Sequence, residues 1–220
     1  MFFYSKFYYF CGMKDVLHTL GNTPVTSSAI ASLYPDISGC NQKVASLQKA
    51  GDIIRLKRGL YVVSPEISGK RISVELVANH IYTPSYVSML SALSWYGLIP
   101  ERVPTIQSMT VKHSRTFINS VANFEYRYID SACFPIGLRN EETDGASFVI
   151  ASAEKALCDL VANTSGLNLR YLSEARDYLE NDLRFDMDAL KDFSLDILRQ
   201  YVKCGKKPRS IETIIKLLDR

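Results

Sequence analysis

The 220-residue chain is 47% apolar and 22% charged, with a formal net charge of +3. That content fills the core of one large domain or two ordinary ones, which excludes a disordered chain, and the charge excludes a polycation. A nucleic-acid partner would have to be met by charge clustered locally, since the total is too small.

Seven of the first ten residues are aromatic, interrupted by Lys6. The run is too short to span a bilayer, and Met13 stands just ahead of the first helical pattern. Residues 1–12 are expected to be an incidental extension or the product of an upstream start codon; an aromatic patch against a partner subunit is the alternative reading. Val16, Leu17 and Leu20 share a helical face with Met13, and Gly21-Asn22 ends that segment. Thr26 or Ser27 can cap a second short helix carrying Ile30 and Leu33, which Tyr34-Pro35 closes. A third helix is expected from about Cys40 to Ala50, with Cys40, Val44 and Leu47 buried. Gly51-Asp52 stops it, and two extended pieces follow, Ile53–Leu56 and Leu60–Val63, joined by Lys57-Arg58-Gly59.

Three short helices and a hairpin is the element order of a winged helix-turn-helix, whose third helix enters the major groove while the hairpin tip meets the backbone. Between Gly39 and Val63 the sequence places five basic residues, Lys43, Lys49, Arg55, Lys57 and Arg58, against Asp52 alone. The polar face of the third helix offers Asn41, Gln42, Lys43, Ser46 and Lys49. Amide side chains read adenine edges, and lysine suits guanine or phosphate. The competing reading is a solvated helix beside a lysine-protected hairpin edge, since winged helices also dock proteins.

Ser64-Pro65-Glu66 to Gly69-Lys70 is polar and turn-rich, so the domain junction is expected there, with domains at 13–64 and 71–220. The second part reads as helices over Val74–Ile81 and Pro84–Gly97, the latter with a stripe of Ser85, Ser88, Ser91 and Ser94 that suits close packing. Strands are expected at Ile106–Val111, Phe124–Ile129 and Ala146–Ala151, then helices at Ala153–Asn163, Leu169–Leu179, Leu190–Val202 and Ile211–Leu218. The fold class is therefore α+β: a winged helix-turn-helix followed by a mixed α/β domain with a helical C-terminal end. Lys112, His113 and Arg115 could extend a basic surface or form a solvated loop.

Signs of catalysis are weak. His18, His80 and His113 sit in no HExxH, and there is no GxSxG elbow or phosphate loop. Cys204-Gly205-Lys206-Lys207 lacks the first glycine and the Ser/Thr of a phosphate loop. Asp186-Met187-Asp188 has two-metal spacing but sits where acids favour a helix start. Asp144 with Glu154-Lys155 lacks the spacing of a nuclease triad, because adjacent side chains diverge. The five cysteines (Cys11, Cys40, Cys133, Cys158, Cys204) form no CxxC pair, so no structural metal is expected; they read as reduced, mostly core thiols of a cytoplasmic protein. No enzymatic activity, cofactor or membrane span is expected.

Three segments resemble the AbiEi-type antitoxin regulators of type IV toxin–antitoxin systems. Residues 51–63 (GDIIRLKRGLYVV) resemble that family's wing, residues 84–100 (PSYVSMLSALSWYGLIP) its second signature, and residues 153–160 (AEKALCDL) its third. They occur in the family's order over about residues 13 to 165, and the aromatic extension is a departure. The resemblance implies a repressor that binds an operator upstream of its own gene, cooperatively or as a dimer. It also implies neutralisation of a nucleotidyltransferase-type toxin without a stable complex, a role credited to the second domain. By position, Lys43, Lys49, Arg55, Lys57 and Arg58 become DNA contacts. A protein-interaction module without operator binding, and a nuclease or nucleotidyltransferase, remain the alternatives.

Overall fold

The computed structural model describes residues 16–35 and 39–219. The aromatic extension, the expected helix start at Met13–Asp15, the Asp36–Ser38 turn and the side chain of Cys40 lie outside the described residues. The protein is an α+β chain that divides into two compact units.

The first unit runs to Ile81 and gathers in Asn119–Val121 and Glu142–Ser147 from later in the chain. Val16–His18 is helical, with Leu17 fully buried. Strand β1 (Val25–Thr26) leads into helix α1 (Ser27–Ser32), and of the two candidate caps it is Thr26 whose hydroxyl accepts the Ala29 amide, at 3.2 Å. Helix α2 (Cys40–Ala50) ends at Gly51, whose φ of 79° lets the Asp52 amide reach the Leu47 carbonyl. Strands β2 (Ile53–Lys57) and β3 (Leu60–Val63) form an antiparallel hairpin, which β1 completes on the free side of β3. The core joins Leu17, Ile30, Val44, Leu47, Ile53 and Val63, with Tyr34 and Tyr61 at its margin. Their spacing is the helical and strand periodicity legible in the sequence. The expected junction at 64–70 falls inside this unit: it forms the one-turn helix α3 (Pro65–Ser68), followed by α4 (Val74–Ile81).

A mixed six-stranded sheet in the order β6-β7-β5-β4-β9-β8 belongs to the second unit except for Glu142–Ser147, at the joined ends of its last two strands in sequence. These strands are β4 (Ser85–Val87), β5 (Thr105–Thr110), β6 (Arg115–Ile118), β7 (Asn123–Tyr128), β8 (Leu138–Thr143) and β9 (Ala146–Ala151). β5 runs parallel to β7 and β4 parallel to β9, while β4–β5 and β6–β7 are antiparallel. Helices α5 (Met89–Trp95), α6 (Ala153–Asn163), α7 (Leu172–Asp177), α8 (Leu195–Val202) and α9 (Pro208–Leu218) accompany it. A π-helical turn at Tyr178–Asp182 and a 3-10 turn at Ala189–Asp192 break up the stretches Leu169–Leu179 and Leu190–Val202 that read as longer helices.

Two expectations are corrected. The 84–97 stretch is not one helix: Pro84 follows a cis peptide bond, Ser85–Val87 is a fully buried strand between β5 and β9, and the helix starts only at Met89. Three buried residues flanked by sheet partners gain more from ladder bonds than from one extra helical turn. The cysteines are also not all reduced. Cys133, in the turn after β7, is disulfide-bonded to Cys204, between α8 and α9, and Cys158 is free and buried. The partners lie 71 residues apart with Cα atoms 5.6 Å apart, a proximity that only the tertiary fold creates.

Candidate nucleic-acid interface

Helix α2 and the β2–β3 hairpin carry most of the residues singled out for DNA. With Val44 and Leu47 buried, the 100° step per residue sends Gln42, Ala45, Ser46 and Lys49 to the opposite side of α2, and all four are exposed. Asn41 is exposed on the flank of that strip. Gly39 begins the helix at φ 110°, and a Cβ there would stand 3.1 Å from the Gln42 amide oxygen. A bare backbone at this turn is thus what leaves room for Gln42 to lie over the helix start. Lys43 points elsewhere. It is half-buried on the Leu47 side, its Nζ 4.8 Å from the centre of the Tyr34 ring. Burial, with a smaller contribution from the Asp52 charge, raises the Tyr34 phenol above its ordinary pKa.

The hairpin turns through Arg58-Gly59, with Gly59 at φ 78°. Its tip is tied down, because the Gly59 carbonyl accepts the Ser27 amide at 3.0 Å. Arg55 and Arg58 are exposed, whereas Lys57 is half-buried and its Nζ donates to the Ile81 carbonyl at 2.5 Å. A register shift between Arg55 and Lys57 turns the Leu56 side chain inward, to 3% exposure. The Asn119 amide then donates to the Leu56 carbonyl at 3.0 Å. Lys57 and Asn119 therefore hold the hairpin, and Arg55 and Arg58 are its outward cations.

In the second unit, Lys112, His113 and Arg115 are exposed. Lys112 donates to the Thr83 carbonyl at 2.5 Å and stands 5.4 Å from the Tyr82 ring centre, and Arg115 lies 5.0 Å from that of Phe117. These two cations cover an aromatic cluster of Tyr82, Phe117 and Tyr126 whose ring centres lie 5.3 to 5.7 Å apart.

Sequence reasoning passed over a polar cluster in the second unit. Asp159 accepts hydrogen bonds from Tyr86 (2.9 Å) and Ser88 (2.8 Å), and its other oxygen lies 3.4 Å from the Lys155 ammonium. Lys155 also donates to the Cys133 carbonyl at 2.9 Å and sits 4.3 Å from the Tyr201 ring centre. Tyr86, Ser88, Lys155 and Asp159 are all fully buried. Burial is the largest influence on both charged partners, pushing Asp159 up and Lys155 down, and each is opposed by the other's charge. Tyr86 and Ser88 come from the 84–100 segment, Lys155 and Asp159 from the 153–160 segment. The two stretches that carried the family resemblance in the second unit thus meet at one carboxylate. The available signal was a lysine and an aspartate four residues apart in the otherwise apolar run 155–162.

Three of the four carboxylates weighed for catalysis, Glu154, Asp186 and Asp188, are engaged structurally. Glu154 accepts the Ser194 amide at 2.9 Å, while Asp188 pairs with Lys191 at 2.7 Å and donates its amide to Asp186. Among the described residues no group of three His, Cys, Asp or Glu side chains is placed to hold a metal ion, and no helix is long and apolar enough to cross a membrane. No family model matches the chain, and no curated protein matches it.

Proposed function

We propose that this chain is a DNA-binding transcriptional autoregulator with a winged helix-turn-helix in its first unit, acting as the antitoxin of an AbiE-like type IV toxin–antitoxin system. The observation that carries the reading is the exposed set Gln42, Ser46, Lys49, Arg55 and Arg58. It lies on a helix and a hairpin whose opposite faces form the core of the same unit. A strip of amide, hydroxyl and ammonium groups on one helix suits base edges, and the two hairpin arginines suit phosphates. Lys43 and Lys57 leave the contact set for structural reasons, one against Tyr34 and the other on the Ile81 carbonyl.

The antitoxin role rests on the resemblance of three segments. The meeting of two of them around Asp159 supports reading those segments as a packing signature of the second unit and speaks against reading them as catalytic, since the cluster is closed to solvent. A cytoplasmic, non-enzymatic protein without a cofactor completes the reading, with operator DNA as its partner and a nucleotidyltransferase-type toxin as its functional counterpart.

The test is binding of the purified chain to DNA from upstream of its own gene, followed by fluorescence anisotropy at 50 and 200 mM salt against a scrambled duplex. Preferential binding that weakens by about 0.9 log units per log unit of salt for each phosphate contact is the expected result. Equal binding to both duplexes at both salts refutes operator recognition and leaves a protein-docking module. Rescue of growth when the chain is co-expressed with the adjacent gene product tests the antitoxin half separately.

A further inference from the structure

The cysteine sulfurs of the second unit take no part in the proposed DNA contact or in the buried ion pair. Both disulfide sulfurs belong to residues lining an open cavity of about 180 Å³, together with Met109, Asp130, Asn163 and Lys206. The two ends of the bond differ in access. Cys133 is fully buried, whereas Cys204 is half-exposed in the loop between α8 and α9. At the cavity the exposed Lys206 ammonium, without an ion pair among the described residues, and the exposed Asp130 carboxylate offer one charge of each sign. Cys158 is completely buried, and that burial raises its thiol far above the ordinary range, so it is inert to the same reagents.

We propose that Cys204 is a thiol–disulfide exchange site for a small thiol bearing a carboxylate. The thiolate of the incoming molecule attacks the sulfur of Cys204, the more exposed of the two residues, and forms a new S–S bond there. The Cys133–Cys204 bond breaks, and Cys133 leaves as a thiolate that takes up a proton from water in the cavity. A second thiol molecule then attacks the mixed disulfide, releasing Cys204 as a thiol and the small molecule as its own disulfide. Two small thiols are oxidised for each protein disulfide reduced. The consequence is local to the second unit. Cys133 offers its carbonyl to Lys155, so opening the bond loosens a turn that supports the buried ion pair.

The probe is glutathione, added to the air-oxidised full-length chain, with peptide mass mapping after acid quench and alkylation. The expected result is a linked Cys133–Cys204 peptide before addition, a transient glutathione adduct on Cys204, and none on Cys158. Lys206→Glu should slow the reaction with glutathione about three-fold to ten-fold at low salt, while slowing 2-mercaptoethanol, whose thiolate carries no carboxylate beside it, distinctly less. Cys133→Ser frees Cys204 from its partner and should still yield the Cys204 adduct with oxidised glutathione, so the site remains testable without the bond. Absence of the linked peptide after oxidation, an adduct found first on Cys133, or equal slowing of both reagents by Lys206→Glu overturns the proposal.

Discussion

Replacing Lys155 by Met keeps the aliphatic stem and removes the ammonium from beside Asp159. The carboxylate keeps its bonds from Tyr86 and Ser88 but loses the opposing charge 3.4 Å away, in a site with no exposure. Breaking a buried pair from one side costs about 3–5 kcal/mol, because the remaining charge is uncompensated. Asp159→Asn strands Lys155 and should cost a similar amount. The double variant removes both charges, so its cost should fall below the sum of the singles by about 2 kcal/mol or more, the signature of contacting residues. Exposed Arg176–Glu180 serves as the control, since Arg176→Ala should cost no more than about 1 kcal/mol. Urea unfolding followed by the single tryptophan, Trp95, reads the second unit directly. The pH dependence has a definite sign. Without Lys155 the folded-state pKa of Asp159 rises further above its unfolded value. The stability of its protonated form is then fully present below the ordinary carboxylate range and lost as pH rises through the raised value. The Lys155→Met deficit should therefore grow as pH rises and shrink in acid. Single variants costing under about 1 kcal/mol each, with no coupling, would refute the view that this pair organises the core.

Other consequences are simpler to check. Arg58→Ala should lower the salt slope of operator binding by about one unit, while Lys57→Met should leave the slope intact and destabilise the first unit; the reverse pattern in anisotropy titrations would reinstate Lys57 as a phosphate contact. Gln42→Ala should change sequence preference, with a loss of about 1–3 kcal/mol on the operator and little change on scrambled DNA in competition assays. Gly205→Ala places a Cβ 2.0 Å from the Tyr201 ring, so α8 or its loop must shift, and a melting temperature equal to the parent's would contradict that packing. Cys204→Ser opens a link across 71 residues and should cost up to about 4 kcal/mol under oxidising conditions and close to nothing under reducing ones, by urea unfolding.

Much of the first unit was legible in the sequence because its determinants are local. Thr26 caps α1 through an amide three residues on, Gly51 ends α2 within its own turn, and Val44 and Leu47 face inward by helical periodicity alone. The same periodicity placed Gln42, Ser46 and Lys49 outward. The helix at Ala153–Asn163 was readable for the same reason, since Ser152 caps it through the Lys155 amide. Non-local partners decided the remainder. Ser85–Val87 has a helix-compatible sequence and becomes a strand because β5 and β9 flank it. Lys43 and Lys57 look like their basic neighbours in the chain, yet a ring from Tyr34 and a carbonyl from Ile81 take them out of the outward set. Cys133 and Cys204 give no sign of pairing at their spacing, and Lys155 with Asp159 gives no sign of finding Tyr86 and Ser88 some 70 residues earlier. Capping and periodicity act over three or four residues and are written in the chain, whereas burial and the choice of polar partner depend on which distant segments the sheet brings together.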